Sequence, residues 1–141
     1  MAEYTTQMAA ARQGVITPQM LAAAEHEGIA PEQLRTQLAA GQAVLPANKG
    51  HKCLKPYAVG RQLKTKINVN LGTSRDCLDI EQELAKVQSA VDMGAEAIMD
   101  LSTFGDTRSF RRRLAQECPA MLGTVPIYDA LVYYNKPLAE I

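Results

Sequence analysis

The chain has 141 residues, with 15 Lys and Arg balanced by 15 Asp and Glu, and no Trp. That length suits one domain of ordinary size. A net charge of zero gives no electrostatic attraction to nucleic acid or an anionic membrane, so neither is expected as a partner. The opening MAEYTTQMAAARQG has no apolar core of a signal peptide, and no apolar run approaches the ~18 residues of a membrane span. A soluble, cytoplasmic protein is expected. Cys53, Cys77 and Cys118 are odd in number and lie 24 and 41 residues apart. Without a CxxC pair they outline neither a zinc ribbon nor an iron–sulfur cluster, and they are read as free thiols.

Residues 1–42 form a helical region. Thr6 is a candidate cap for a helix ending near Gly14, and Thr17-Pro18 opens a second helix that Gly28 closes. Pro31 opens a third, with Leu34 and Leu38 on one face and Gly41 at its end. This segment carries no visible chemistry and is read as an appended cap or oligomer contact. Residues 43–64, with Pro46, Gly50, Pro56 and Gly60, read as a strand-like start at Ala43–Leu45 followed by a long loop.

Residues 65–141 change period. Lys66–Leu71 is a β-rich run. Asp79 caps a helix with apolar positions Ile80, Leu84, Val87 and Val91. Ala95–Leu101 is the next strand. Asp106 caps a helix with Phe110 and Leu114 inward and its arginines outward. Met121–Val125 is a third strand, and a short helix runs from Pro126 to Asn135. The β-α-β-α-β order predicts an α/β fold with a parallel sheet. Two architectures fit: a doubly wound sheet, or the first βα units of an incomplete (β/α)8 barrel, since a whole barrel takes roughly 200–250 residues or more.

In either architecture the chemistry sits at the carboxyl ends of the strands. Alternation puts Asn68 and Asn70 on one face and Ile67, Val69 and Leu71 on the other. The two amides either bind a polar ligand or satisfy neighbouring groups inside the fold. Asp100 is either functional or a buried carboxylate paired with Lys66. Thr73 and Ser74 follow Gly72 in a loop that leads to a helix, a weak anion-holding signal. Arg108, Arg111, Arg112 and Arg113 resemble a phosphate patch but read best as a solvated helix face. His26 lies beside two glutamates on a helix surface. His51 and Cys53 share a loop, but two ligands do not make a metal site.

Several blocks in order carry a more specific signal. They are Thr6-Gln7-Met8, Gly14-Val15-Ile16-Thr17, Val44-Leu45-Pro46-Ala47-Asn48, Lys66 through Ser74, Met99-Asp100-Leu101-Ser102-Thr103, and Gly123-Thr124-Val125-Pro126-Ile127-Tyr128. Together they resemble the phosphomethylpyrimidine synthase (ThiC) family of thiamine biosynthesis and its relatives, the 5-hydroxybenzimidazole synthases, over almost the whole chain. The resemblance implies a (β/α)8 barrel and a radical S-adenosylmethionine lyase. Its substrate would be 5-aminoimidazole ribotide and its product hydroxymethylpyrimidine phosphate. It implies a [4Fe–4S] cluster, S-adenosylmethionine and zinc, with the ligands of cluster and zinc lying outside this sequence. It also implies that Asn70, Met99 and Tyr128 line the nucleotide pocket. These three are evenly spaced (70 to 99 and 99 to 128, 29 residues each), one βα unit per step.

Three positions depart from the pattern of that family: Phe104 stands where Gly is usual, Val69 where Ala is, and Asp129 where Gln is frequent. They fit a paralogue with another product, such as the benzimidazole, or a decaying copy. The resemblance also leads to the expectation of an N-terminal fragment, not competent alone, with no catalytic residue of its own. Such a piece is expected to be a homodimer in full-length form or to need a complementary chain that completes the barrel. A non-catalytic interaction module is the rival from another class. A small nucleotide-binding domain is disfavoured, because neither GxGxxG nor GxxxxGK[ST] occurs.

Overall fold

The computed structural model of the chain describes residues 4–141. It separates into two compact units. The first comprises residues 1–49 and 55–66; the second comprises 50–54 and 67–141.

The first unit contains α1 (Gln7–Arg12), α2 (Pro18–Glu27), α3 (Pro31–Ala39), β1 (Ala43–Val44) and β2 (Val59–Gly60). The caps form where the sequence places them. The Thr6 hydroxyl accepts the Ala9 N–H at 3.0 Å. The Thr17 hydroxyl accepts the Met20 N–H at 3.2 Å and donates to Gln7 Oε1 at 2.7 Å, so one side chain caps α2 and holds α1. Ala10, Ala11, Ala23 and Ala24 are fully buried with Met20, Leu34 and Leu38. The small residues let the helices approach closely, and each of the three large apolar side chains contributes roughly 1.5–3 kcal/mol by leaving water. Arg12 Nε and Arg35 Nη1 donate to Ala39 O (3.2 Å) and Ala11 O (3.1 Å), which ties α1 to α3.

The stretch read as loop holds a second strand. β2 pairs antiparallel with β1 in the register Ala43↔Gly60 and Val44↔Val59. A two-residue strand is too short to show an alternation, so the pairing is visible only in three dimensions.

The second unit runs β3 (Asn68–Leu71), α4 (Ile80–Asp92), β4 (Ala97–Asp100), α5 (Thr107–Glu117), β5 (Met121–Thr124), α6 (Pro126–Tyr134) and a 3-10 turn at Leu138–Glu140. The sheet is parallel, in the order β3-β4-β5. Its strands are shorter than predicted, for local reasons. Lys66 turns away to Glu27 within the first unit. The Ala95 N–H closes α4 on Ala90 O at 2.9 Å rather than starting a strand. Val125 is already the residue that precedes α6.

Val69, Leu71, Ile98 and Leu122 pack with Val87 and Ala90 of α4 and Phe110 and Leu114 of α5. Both helices therefore cover one face of the sheet. Alternation puts Asn68, Asn70, Ala97, Met99 and Gly123 on the opposite face, which neither helix covers.

Candidate functional site

On that uncovered face the parallel register sets Asn70 opposite Met99, and Met99 opposite Gly123. Asn68 Nδ2 donates to Asn70 Oδ1 at 2.8 Å, and both amides are exposed. This bond uses one acceptor of Asn70 and leaves its NH2 donors directed to solvent or a ligand. Met99 is half-buried. A Cβ on Gly123 would stand 2.7 Å from Met99 Cε and 2.8 Å from its Sδ. The missing side chain at position 123 is what lets the thioether lie across the neighbouring strand.

Tyr128 is half-buried in the first turn of α6, four residues past the end of β5. Thus Asn70 and Met99 are direct neighbours in the sheet, and Tyr128 belongs to the segment leaving the adjacent strand.

Behind this row a hydrogen-bonded chain links the strand ends. Gly72 donates its N–H to Glu83 Oε2 at 2.9 Å, and Glu83 Oε1 accepts from Lys86 at 2.6 Å. The Thr73 N–H donates to Ser102 Oγ at 3.0 Å, and the Thr73 hydroxyl donates to Phe104 O at 2.6 Å. Thr73 is buried and both groups are committed to the next loop, which corrects its reading as an anion holder.

Asp100 is 2% exposed. Its Oδ1 accepts the Ser102 N–H at 2.9 Å and the Ser102 hydroxyl at 2.5 Å, and its Oδ2 accepts Arg111 Nε at 2.6 Å. Its cationic partner is Arg111 and not Lys66, which corrects the pairing expected from sequence.

Arg111 is likewise not part of a solvated face. Its Nη1 donates to Asp129 Oδ2, so one guanidinium spans two carboxylates. Burial alone would lower its pKa, but the bonds to Asp129 and Asp100 outweigh that and hold it above its ordinary value. Its Nη2 is buried with no hydrogen-bond partner among the described residues. Arg108 and Arg112 are exposed, as expected, and Arg113 pairs with Glu81 at 2.5 Å. A signal for Arg111 was present: counted from buried Thr107, Phe110, Arg111 and Leu114 fall at i+3, i+4 and i+7, one helix stripe.

Arg111 and Asp129 also border a cleft of about 760 Å³ with Thr107, Arg108 and Tyr133. Phe104 is 39% exposed, and the Arg75 guanidinium lies 5.8 Å from its ring centroid. The loops after β3 and β4 thus meet at Phe104.

His51 and Cys53 do come together, but on a backbone group. His51 Nε2 donates to Cys118 O at 2.5 Å, the Cys53 thiol donates to the same oxygen at 3.0 Å, and the Lys52 N–H reaches Ala115 O at 3.0 Å. They fasten residues 50–54 to the end of α5. Burial pushes the Cys118 thiol above its ordinary pKa, with the Ala120 N–H working against that shift and Cys53 adding to it. A raised pKa means less thiolate at neutral pH. Timed alkylation with iodoacetamide, read by peptide mass spectrometry, should label exposed Cys77 first and Cys118 last.

A profile of the Radical SAM ThiC family matches residues 6–140. The chain belongs to that family. Among curated proteins, the phosphomethylpyrimidine synthase of Clostridioides difficile (strain 630) is 56% identical over 138 residues, covering 98% of this chain and 32% of that protein. Those of Clostridium kluyveri and Alkaliphilus oremlandii are 54% and 56% identical, with 98% and 99% of this chain covered. The chain spans about a third of the length of these relatives.

Membership in the ThiC family implies S-adenosylmethionine and a [4Fe–4S] cluster, and the residues present do not fit the cluster. Such a cluster takes three or four converging thiolates. Here Cys77 is exposed, Cys118 is buried, and the Cys53 thiol is bonded to a carbonyl. Among the described residues no group of three or more His, Cys, Asp or Glu is arranged to hold a metal. No helix among them is long and apolar enough to cross a membrane.

Proposed function

We propose that this chain is the N-terminal portion of a phosphomethylpyrimidine synthase and forms the first βα units of its (β/α)8 barrel. In this reading it lines one side of the pocket in which 5-aminoimidazole ribotide is held for conversion to hydroxymethylpyrimidine phosphate. The Asn70 amide and the Tyr128 phenol hydrogen-bond the nucleotide, and the Met99 thioether packs against its imidazole ring. The observation that carries the reading is the Asn70–Met99 register pair on the sheet face that α4 and α5 leave uncovered. A barrel with its helices outside needs that face as its interior.

The radical chemistry belongs to groups held by residues outside this chain, as would any zinc. The chain's own contribution is to bind and orient the nucleotide and to shield one side of it from water. The complete enzyme is read as cytoplasmic and either homodimeric or completed by a complementary chain.

The test is product identification. An enzyme of full family length carrying this segment, reconstituted and given 5-aminoimidazole ribotide, should yield a phosphorylated pyrimidine by mass spectrometry. A hydroxybenzimidazole would assign it to the related branch, with Phe104 the first residue to revert to Gly. Formation of neither product would overturn the enzymatic reading.

A further inference from the structure

We propose that Arg111 is a positioning residue that sets the first turn of α6, and with it Tyr128, by bridging Asp100 at the end of β4 to Asp129. The ligand half of this inference rests on Tyr128 contacting the nucleotide; the anchoring half does not. Three observations about α6 lead to it. No side chain caps its N-terminus, and none of its described residues is buried. An uncapped, unburied helix of nine residues has little to fix it in place. What does hold its first turn is Asp129, which accepts from Arg111 Nη1 and from the Thr107 hydroxyl at 3.3 Å.

The other end of the bridge is rigid. Asp100 accepts three hydrogen bonds and is almost fully buried, and Ser102 passes the connection on to Thr73 beyond β3. The segments that follow Asn70, Met99 and Gly123 are therefore joined, the first two through the Ser102 hydroxyl and the last two through the Arg111 guanidinium. Arginine suits the task, because its planar fork addresses two carboxylates at once where lysine offers a point charge.

Hydrogen exchange on the intact chain tests the anchor. In Asp129→Ala, which leaves the Asp100–Arg111 pair whole, the α6 amides should exchange about tenfold faster or more, while those of α4 stay unchanged. Arg111→Met should do the same, and Arg111→Lys should restore part of the protection. Unchanged α6 exchange in Asp129→Ala overturns the anchor.

The ligand half is tested in the full-length enzyme by 5-aminoimidazole ribotide binding, with Asp129→Ala and Tyr128→Phe combined. If Arg111 and Asp129 act through Tyr128, each single variant should weaken binding by about three- to tenfold and the double variant should be no worse. Multiplied effects would overturn the positioning role. A Tyr128→Phe variant that binds normally would overturn the ligand half together with the pocket reading, and the exchange result would still decide the anchor.

Discussion

Gly72→Ala should be among the most damaging single methyls in the chain. Gly72 sits at φ +145, where side chains are strained whatever the space. The added Cβ would also stand 2.5 Å from the Ser102 nitrogen, 2.8 Å from the Leu101 carbonyl carbon and 3.0 Å from the Leu101 nitrogen. These are backbone atoms fixed by the strand-end ladder, in which the Leu101 N–H bonds Leu71 O at 2.7 Å and the Thr103 N–H bonds Thr73 O at 2.9 Å. They cannot swing aside as a side chain would. A strained backbone costs roughly 1–3 kcal/mol and overpacking roughly 1–3 kcal/mol, so the loss should be about 2–6 kcal/mol. Chemical denaturation with far-UV circular dichroism measures it. By contrast, a Cβ at Gly123 comes close only to the end of the flexible Met99 side chain, with the Ile98 carbonyl oxygen at an ordinary 3.9 Å. Gly123→Ala should therefore cost much less, and equal losses for the two would refute the backbone explanation.

Lys66→Met should destabilise the first unit by about 3–5 kcal/mol, because it leaves a buried carboxylate without its cation. The Lys66 and Glu27 side chains are 4% and 1% exposed. Lys66 Nζ donates to Glu27 Oε1 and, at 2.6 Å, to Lys64 O, while Glu27 Oε2 accepts the Lys64 N–H at 2.7 Å. The double variant Lys66→Met/Glu27→Gln should recover most of the loss, since the amide keeps an acceptor for Lys64 and no charge stays buried.

The same pair has a pH signature. Burial pushes the Glu27 carboxyl up, but Lys66 and the Lys64 N–H together hold it below its ordinary value of 4.5. A depressed acid contributes stability above its unfolded pKa and loses it as pH falls through the folded one. The wild-type chain should therefore lose stability from about pH 4.5 downward through this group. Thermal melts of Glu27→Gln across that range should show a shallower fall; an identical fall would remove Glu27 from the acid transition.

How far the sequence could be read depended on the range of each interaction. Caps and helix stripes are local, so Thr6, Thr17, Asp79 and Asp106 could be read directly, and their side chains accept the expected N–H groups. Alternation in β3 is local too, and Asn68 and Asn70 do share a face. The pairing of β1 with β2 spans a long loop and left no pattern to read. Partner choice among charges was equally hidden. Sequence offers Lys66 as the partner of Asp100 and reads the α5 arginines as solvated, and only the packing of α5 on the sheet turns Arg111 toward Asp100. His51 and Cys53 are too few for a metal site, and sequence cannot show that both instead bond one backbone carbonyl, that of Cys118.

The pocket reading is tested most directly by titrating 5-aminoimidazole ribotide calorimetrically into a full-length enzyme carrying Asn70→Ala. Loss of a ligand hydrogen bond of about 1 kcal/mol or slightly more should weaken binding roughly five- to tenfold. Binding as tight as in the unaltered enzyme would contradict the assignment of the β3–β4 strand ends as the nucleotide site.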